Sequence, residues 1–354
     1  MGKIIIRKEN NHFSFFDYNT HKLLNSDFNY NISAFSNENN NKNFNSMKVG
    51  QKDVLDLDVC SINNIIRKSV ENTDYIIDFP LAIGIMVTNM CNMNCDYCLT
   101  RKVNNSTVFI PKEIKEYTEN IKELNPLCFW VTGGEPLLWP STLTLIEELS
   151  SSHSYIALDT NGLLLDEKIV NNKKVINTLI EGQITVRVSL DGHTPEINDH
   201  FRSDYAIIVK NIEKLINLGI EVRVNTVVTS ANIMYLKELA NFLVSLGVNG
   251  WNIFQLQEGF APTATKIPYE LYECKIKELI EYATHFINLS VIYGNIPFSS
   301  VIIDPIGNIF TSDTANGEKI VLSNIYEKDY VTLLKSNYTP YFKNHINKYI
   351  NTGF

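Results

Sequence analysis

The chain has 354 residues, 44% of them hydrophobic, and a formal net charge of −8. That length supplies ample core for one large domain or a barrel with appendages, and a net negative chain without a basic run argues against a nucleic-acid surface. No apolar run approaches the roughly 20 residues of a membrane-crossing helix, Met1 to Asn11 lacks a signal-peptide core, and six cysteines are too sparse for a disulfide scaffold; the expectation is a cytoplasmic protein with no membrane and no nucleic-acid partner.

Lys3–Arg7 and His12–Tyr18 are short apolar-rich runs around Asn10-Asn11, the pattern of a hairpin. Asn29 to Gln51 is polar and Asn-rich, too poor in apolar surface to order itself, and reads as a linker or loop. Residues 1–80 are therefore expected to form a small N-terminal appendage.

From Leu81 the chain alternates strand-like and helix-like segments, which favours an α/β fold with a parallel sheet and helical crossovers. The strands expected are Leu81–Val87, Leu127–Val131, Tyr155–Leu158, Thr185–Leu190, Glu221–Val228 and Gly250–Leu256. Between them, Ile208, Ile212, Leu215 and Ile216 carry a helical repeat stopped by Gly219, and Leu236, Leu239, Ala240 and Leu243 another stopped by Gly247.

Directly after the first of these strands come Cys91, Cys95 and Cys98, a C-x3-C-x2-C run. Three thiolates on one short loop can hold three irons of a cubane cluster and leave the fourth iron without a protein ligand, an open position of the kind catalytic metal sites keep. Zinc is the alternative, but a structural zinc site needs a fourth Cys or His, and none lies within the loop.

These residues resemble the radical S-adenosylmethionine (SAM) enzymes, including Tyr97 just before the third cysteine. The resemblance implies that Cys91, Cys95 and Cys98 hold a [4Fe-4S] cluster whose open iron chelates SAM. It also implies reductive cleavage of SAM to a 5'-deoxyadenosyl radical that abstracts a substrate hydrogen, and an electron donor such as flavodoxin or ferredoxin. The fold it implies is a partial (β/α)6 TIM-like barrel over residues 81–290, with the active site on loops leaving the C-terminal strand ends.

Further motifs fall on those loops. Gly133-Gly134-Glu135-Pro136 resembles the family's GGEP, where backbone and Glu bind the SAM ammonium; the glycines permit close backbone approach. Thr160-Asn161-Gly162 matches the family's TNG turn, placing Asn161 near SAM. Ser189-Leu190-Asp191-Gly192 resembles SLDG, with Ser189 reaching the ribose or carboxylate and Asp191 nearby. Arg202 falls in a region similar to HDxxR, where it either pairs within the site or caps the next helix. Asn225 and Gln255 sit in strands that contact ribose and adenine in the family.

Ile303 to Ser312 resembles the hairpin that opens the family's SPASM or Twitch extension, and Leu322–Ile325 its GNI segment, but no cysteine follows Cys274. Residues 291–354 are thus expected to be a degenerate α+β extension with no auxiliary cluster. Cys60, Cys128 and Cys274 remain as candidate hydrogen donors to a substrate radical. The substrate expected from this plan is a ribosomally made precursor peptide; a sugar, nucleoside or amino acid is the second reading, and a non-enzymatic iron–sulfur or zinc protein the third.

Overall fold

The structure, a computed structural model, describes residues 2–8, 12–17, 22–27, 52–57, 79–98, 114–152, 154–165, 169–170, 173–256, 266–292, 300–312 and 319–352. The Asn-rich stretch 29–51, Cys60 and Gln257 lie outside them.

The N-terminal hairpin is part of a larger unit. Strands β1 (Gly2–Lys8), β2 (His12–Asp17), β3 (Lys22–Asp27) and β4 (Lys52–Leu57) form an antiparallel sheet in the order β3-β2-β1-β4. Arg7 of β1 is 2% exposed, and its guanidinium donates to the carbonyls of Phe79, Pro80 and Asn125. Phe16 of β2 packs against Tyr155 with ring centroids 4.6 Å apart and planes tilted by 31°. Tyr155 opens a barrel strand at its N-terminal end, so this sheet caps the face of the barrel opposite the cysteine loop.

The barrel strands are β5 (Ala82–Met86), β6 (Cys128–Thr132), β7 (Tyr155–Thr160), β10 (Thr185–Ser189), β11 (Val222–Val228) and β12 (Gly250–Gln255). A minor two-residue hairpin, β8 (Ile169–Val170) and β9 (Lys173–Lys174), interrupts the count. All six segments expected to be strands are strands, and neighbours pair in parallel. One alternate set of side chains, including Val186, Val188, Val222, Val224 and Ile253, is fully buried. Helices α1 (Ile114–Glu123), α2 (Thr142–Ser150), α3 (Val175–Glu181), α4 (Pro195–Asn198), α5 (Tyr205–Asn217) and α6 (Leu236–Leu246) follow in the crossovers. Ile208, Ile212 and Leu215 of α5 and Leu239, Ala240 and Leu243 of α6 are the buried faces that the 3.6-residue repeat marks. Gly219 (φ 75°) and Gly247 (φ 80°) end them in the left-handed conformation.

The sheet runs on past the sixth strand. After α7 (Tyr269–Ala283), β13 (Leu289–Ile292) adds in parallel to β12, and β14 (Ser300–Ile303) returns to pair in parallel with β5 on the opposite flank. β15 (Asn308–Ser312) and β16 (Lys319–Asn324) complete an antiparallel meander, with α8 (Tyr330–Thr352) packed on β16. The order β13-β12-β11-β10-β7-β6-β5-β14-β15-β16 is a parallel-rich sheet that does not close: a partial TIM-like barrel. The hairpin seen in the sequence near Ile303 is thus a continuation of the barrel sheet.

Candidate active site

Two loops are fastened together at the C-terminal end of β5 and β6. Gly134 N–H donates to Thr88 O at 2.6 Å and Glu135 N–H to Met90 O at 2.7 Å. A Cβ on Gly133 or Gly134 would run into the backbone carbonyl oxygens of Thr88 or Met90. The glycine pair therefore permits a close approach, as expected, and its partner is the backbone just ahead of Cys91. Within the cysteine loop, Cys98 N–H donates to Cys95 O at 3.1 Å, closing a turn that brings the second and third thiols together.

Glu135 is engaged by neighbours of its own chain. Its carboxylate is 0% exposed and is occupied by neighbours. Leu137 N–H donates to it at 3.0 Å, the Thr160 hydroxyl at 3.0 Å and Asn161 N–H at 2.8 Å. It caps the short 3-10 helix at Pro136–Leu138 and pins the Thr160-Asn161-Gly162 turn to it. The side chain faces inward because a carboxylate satisfies these backbone donors, which would otherwise be buried unpaired.

Asn161 extends the pinning to the cysteine loop: its side-chain amide donates to Asn92 Oδ1 at 2.7 Å and lies 3.8 Å from Cys91 Sγ. From the next loop, Asp191 accepts from the Tyr97 hydroxyl and from Val227 N–H, and pairs with Arg202 Nε at 2.5 Å. The Arg202 Nη1 lies 3.8 Å from Cys95 Sγ, and its guanidinium carbon stands 5.4 Å from the Tyr97 ring centre. Of its two expected roles, Arg202 takes the pairing within the site. Asn232 completes the loop by donating to Asp191 O at 2.9 Å.

These loops enclose a cavity of about 330 Å³. Cys91, Cys95, Cys98, Tyr97, Gly133, Gly134, Asn161, Ser189, Asn225 and Gln255 all line it, as does Arg202. Glu135, Pro136 and Asp191 are buried behind the wall. Cys128 is buried in β6, where desolvation pushes its thiol up to about 12, and Cys274 is exposed on α7; neither is among the lining residues. The lining also includes Asp159 and Thr160, which open the Asn161 motif but were given no role, and Met93, Val227, Phe254 and Leu256, which sequence reasoning did not single out. The two-residue period of β7, β11 and β12 could have found Asp159, Val227 and Phe254, since each alternates with a buried neighbour.

The donor set fits a cluster. Three thiols from one loop line a single cavity, while no three His, Cys, Asp or Glu side chains among the described residues converge as one mononuclear ion would require. A cubane takes each thiolate on a different iron. Burial pushes the Cys95 thiol up to about 11, an effect that Arg202 opposes and that bound iron reverses, because coordination deprotonates a thiol outright. The remaining wall combines Ser189, Asn225 and Gln255 with apolar Val227, Phe254 and Leu256, a mixture suited to a nucleoside with a polar sugar and a flat base.

A family model described as the Radical SAM superfamily matches residues 85–243. An uncharacterized protein of Methanocaldococcus jannaschii is 28% identical over 277 residues, covering 71% of this chain and 91% of that one. A probable GTP 3',8-cyclase of Methanococcus aeolicus is 30% identical over 208 residues, covering 56% of this chain and 66%, just under two thirds, of the cyclase. Among solved structures, Streptococcus suis SuiB bound to precursor peptide SuiA superposes with a TM-score of 0.68 at 16% identity, covering 97% of this chain and 89% of SuiB.

Proposed function

This chain belongs to the radical SAM superfamily, and from that premise we propose that it modifies a C–H bond of a ribosomally made precursor peptide. It is an enzyme whose cofactors are a [4Fe-4S] cluster and SAM. When bound, they supply the 5'-deoxyadenosyl radical that removes a substrate hydrogen. The chain's own part is to hold the cluster through Cys91, Cys95 and Cys98, to fix that loop by the Gly134, Asn161 and Arg202 contacts, and to line the SAM cavity with Ser189, Asn225 and Gln255.

The observation that carries the peptide reading is the extent of the likeness to SuiB, which covers 97% of this chain and so reaches both the N-terminal sheet and the C-terminal meander. SuiB was solved with a precursor peptide bound. On this reading residues 1–80 cap the barrel, 81–290 carry the radical chemistry, and 291–354 form a cysteine-free extension, so the enzyme works with one cluster. A flavodoxin or ferredoxin is the electron donor we propose. A small-molecule substrate is the second reading, favoured by the GTP 3',8-cyclase relative.

The test is anaerobic incubation of the reconstituted enzyme with SAM, dithionite and a short peptide encoded beside its gene, followed by mass spectrometry. A mass change in the peptide, coupled to 5'-deoxyadenosine, is expected. An unmodified peptide together with conversion of GTP would replace this reading with the second.

A further inference from the structure

The concave face of the sheet carries a chain of polar side chains that runs into the cavity wall and ends on a residue given no role so far. Arg223 of β11 is 1% exposed and donates through Nη2 to Asn252 Oδ1 at 2.9 Å. Asn252 donates to Asn225 Oδ1 at 2.8 Å, and Asn225 to Asp159 Oδ1 at 3.3 Å. Arg187 reaches the same carboxylate, with a hydrogen bond from Nη2 to Oδ2 at 2.9 Å and an ion-pair contact from Nε to Oδ1 at 2.6 Å whose angle is too poor for a hydrogen bond. Both amides in the series donate toward Asp159, so their bonds polarise one another in one direction and end on a fixed anion.

The position of that anion is informative. Among the described residues its side-chain partners come from β10 and β11, which lie on one flank of β7. On the other flank stands the short side chain of Thr132, which lines the cavity as Asp159 does. A carboxylate offers about four acceptor directions; two hydrogen bonds and one ion-pair contact use the β10–β11 side, and among the described residues no side chain takes the cavity side. The Asp159 side chain is 22% exposed and lines the cavity, so an incoming group can reach it.

We propose that Asp159 positions the substrate by accepting a hydrogen bond from an N–H beside the carbon that loses hydrogen. The inference rests on the peptide reading, since a backbone N–H adjoins every peptide α-carbon. Arg187 and Asn225 hold the carboxylate in place, and Thr132 leaves room for the incoming group.

The probes are N-acetylglycine amide deuterated at its α-carbon and the matching N-acetylsarcosine amide, in which a methyl replaces the N–H. Two measurements are made on wild type and Asp159→Ala. Saturation-transfer NMR on cluster-free protein should show the glycine probe binding about tenfold more tightly than the sarcosine probe to wild type, and equally to the variant, the scale of a hydrogen bond to a charged acceptor. In the loaded enzyme, a C–D bond of the probe breaks and a C–D bond forms at the 5'-carbon, so the deuterium fraction of 5'-deoxyadenosine reports which probe sits at the site. It should favour the glycine probe in wild type and lose that preference in Asp159→Ala. Equal binding of the two probes by wild type, or a preference that survives in Asp159→Ala, overturns the assignment. The wild-type comparison needs no variant to fold. Probe binding through Asp159 without deuterium transfer would leave the contact standing and count against the peptide reading instead.

Discussion

Arg202 bridges two loops by placing Nε 2.5 Å from Asp191 Oδ2 and Nη1 3.8 Å from Cys95 Sγ. Both side chains of the ion pair are less than a tenth exposed, so removing either leaves a buried charge without its partner. Arg202→Ala should lower stability by about 3–5 kcal/mol, and the iron content after reconstitution should fall with it. Urea denaturation and iron analysis check this. A variant with wild-type midpoint and full iron would show that the pair does not brace the cluster loop.

Each of Cys91→Ala, Cys95→Ala and Cys98→Ala should abolish the brown chromophore and SAM cleavage, because a two-thiolate loop cannot hold a cubane with one iron open. Wild-type protein should carry about four irons per chain, as one cubane does. About eight irons, with a second signal persisting in the triple variant, would contradict the single-cluster organisation.

Glu135→Ala orphans the hydroxyl of Thr160 and the N–H groups of Leu137 and Asn161 in a dry environment. Each orphaned buried donor costs about 1–3 kcal/mol, so stability should drop and SAM affinity should weaken with it. Glu135→Gln, which keeps an acceptor oxygen, should restore most of the stability. Paired thermal melts and SAM titrations separate this from direct contact: weakened SAM binding at undiminished stability would mean that Glu135 touches SAM itself.

Phe16→Ala removes the ring that packs against Tyr155 and should cost roughly 3 kcal/mol of docking energy. Limited proteolysis should then cut the N-terminal sheet from the barrel, while SAM affinity holds. Unchanged proteolysis would indicate that Arg7 suffices to hold the sheet.

Cys274 is exposed and Cys128 buried, so iodoacetamide near pH 8 should alkylate the first and spare the second in folded protein. Burial lifts the Cys128 thiol to about 12 from an ordinary 9.0. The folded state therefore keeps a proton that the unfolded chain loses in this window, and stability falls as pH rises through it, by up to about 1.4 kcal/mol per pH unit. Urea midpoints at about pH 8.5 and pH 10.5 should diverge less for Cys128→Ala than for wild type; equal divergence would count against it.

The barrel was legible where local chemistry is decisive. Val186-Arg187-Val188 and Val222 to Val228 announce strands through β-branched alternation, and Gly219 and Gly247 mark where helices must stop. Lys22–Asp27 and Lys52–Leu57 were not legible, because short polar strands gain their order from a neighbour and carry little signal of their own. The cysteine loop and Asn161 were found through motif spacing. The inward turn of Glu135 was not, since a carboxylate beside glycines is equally compatible with a ligand or with backbone donors. Asp159 was passed over for a related reason: its significance comes from Arg187 and Asn225 on other strands, and no local pattern brings them together.

The pairing of β14 with β5 has a consequence for biosynthesis. β5 carries the cysteine loop, yet one of its two neighbours is made only after the whole barrel has been translated. At roughly 5–20 residues per second, the nascent strand spends many seconds with one row of backbone donors and acceptors uncovered. Ile302 and Ile303 then cover that edge and fix the strand from which the three cysteines emerge. Iron loading on the ribosome would meet a loop whose base is still half-supported. The topology thus sets an order, in which β14 must be made before the edge is sealed and a settled thiol triad can be offered to iron.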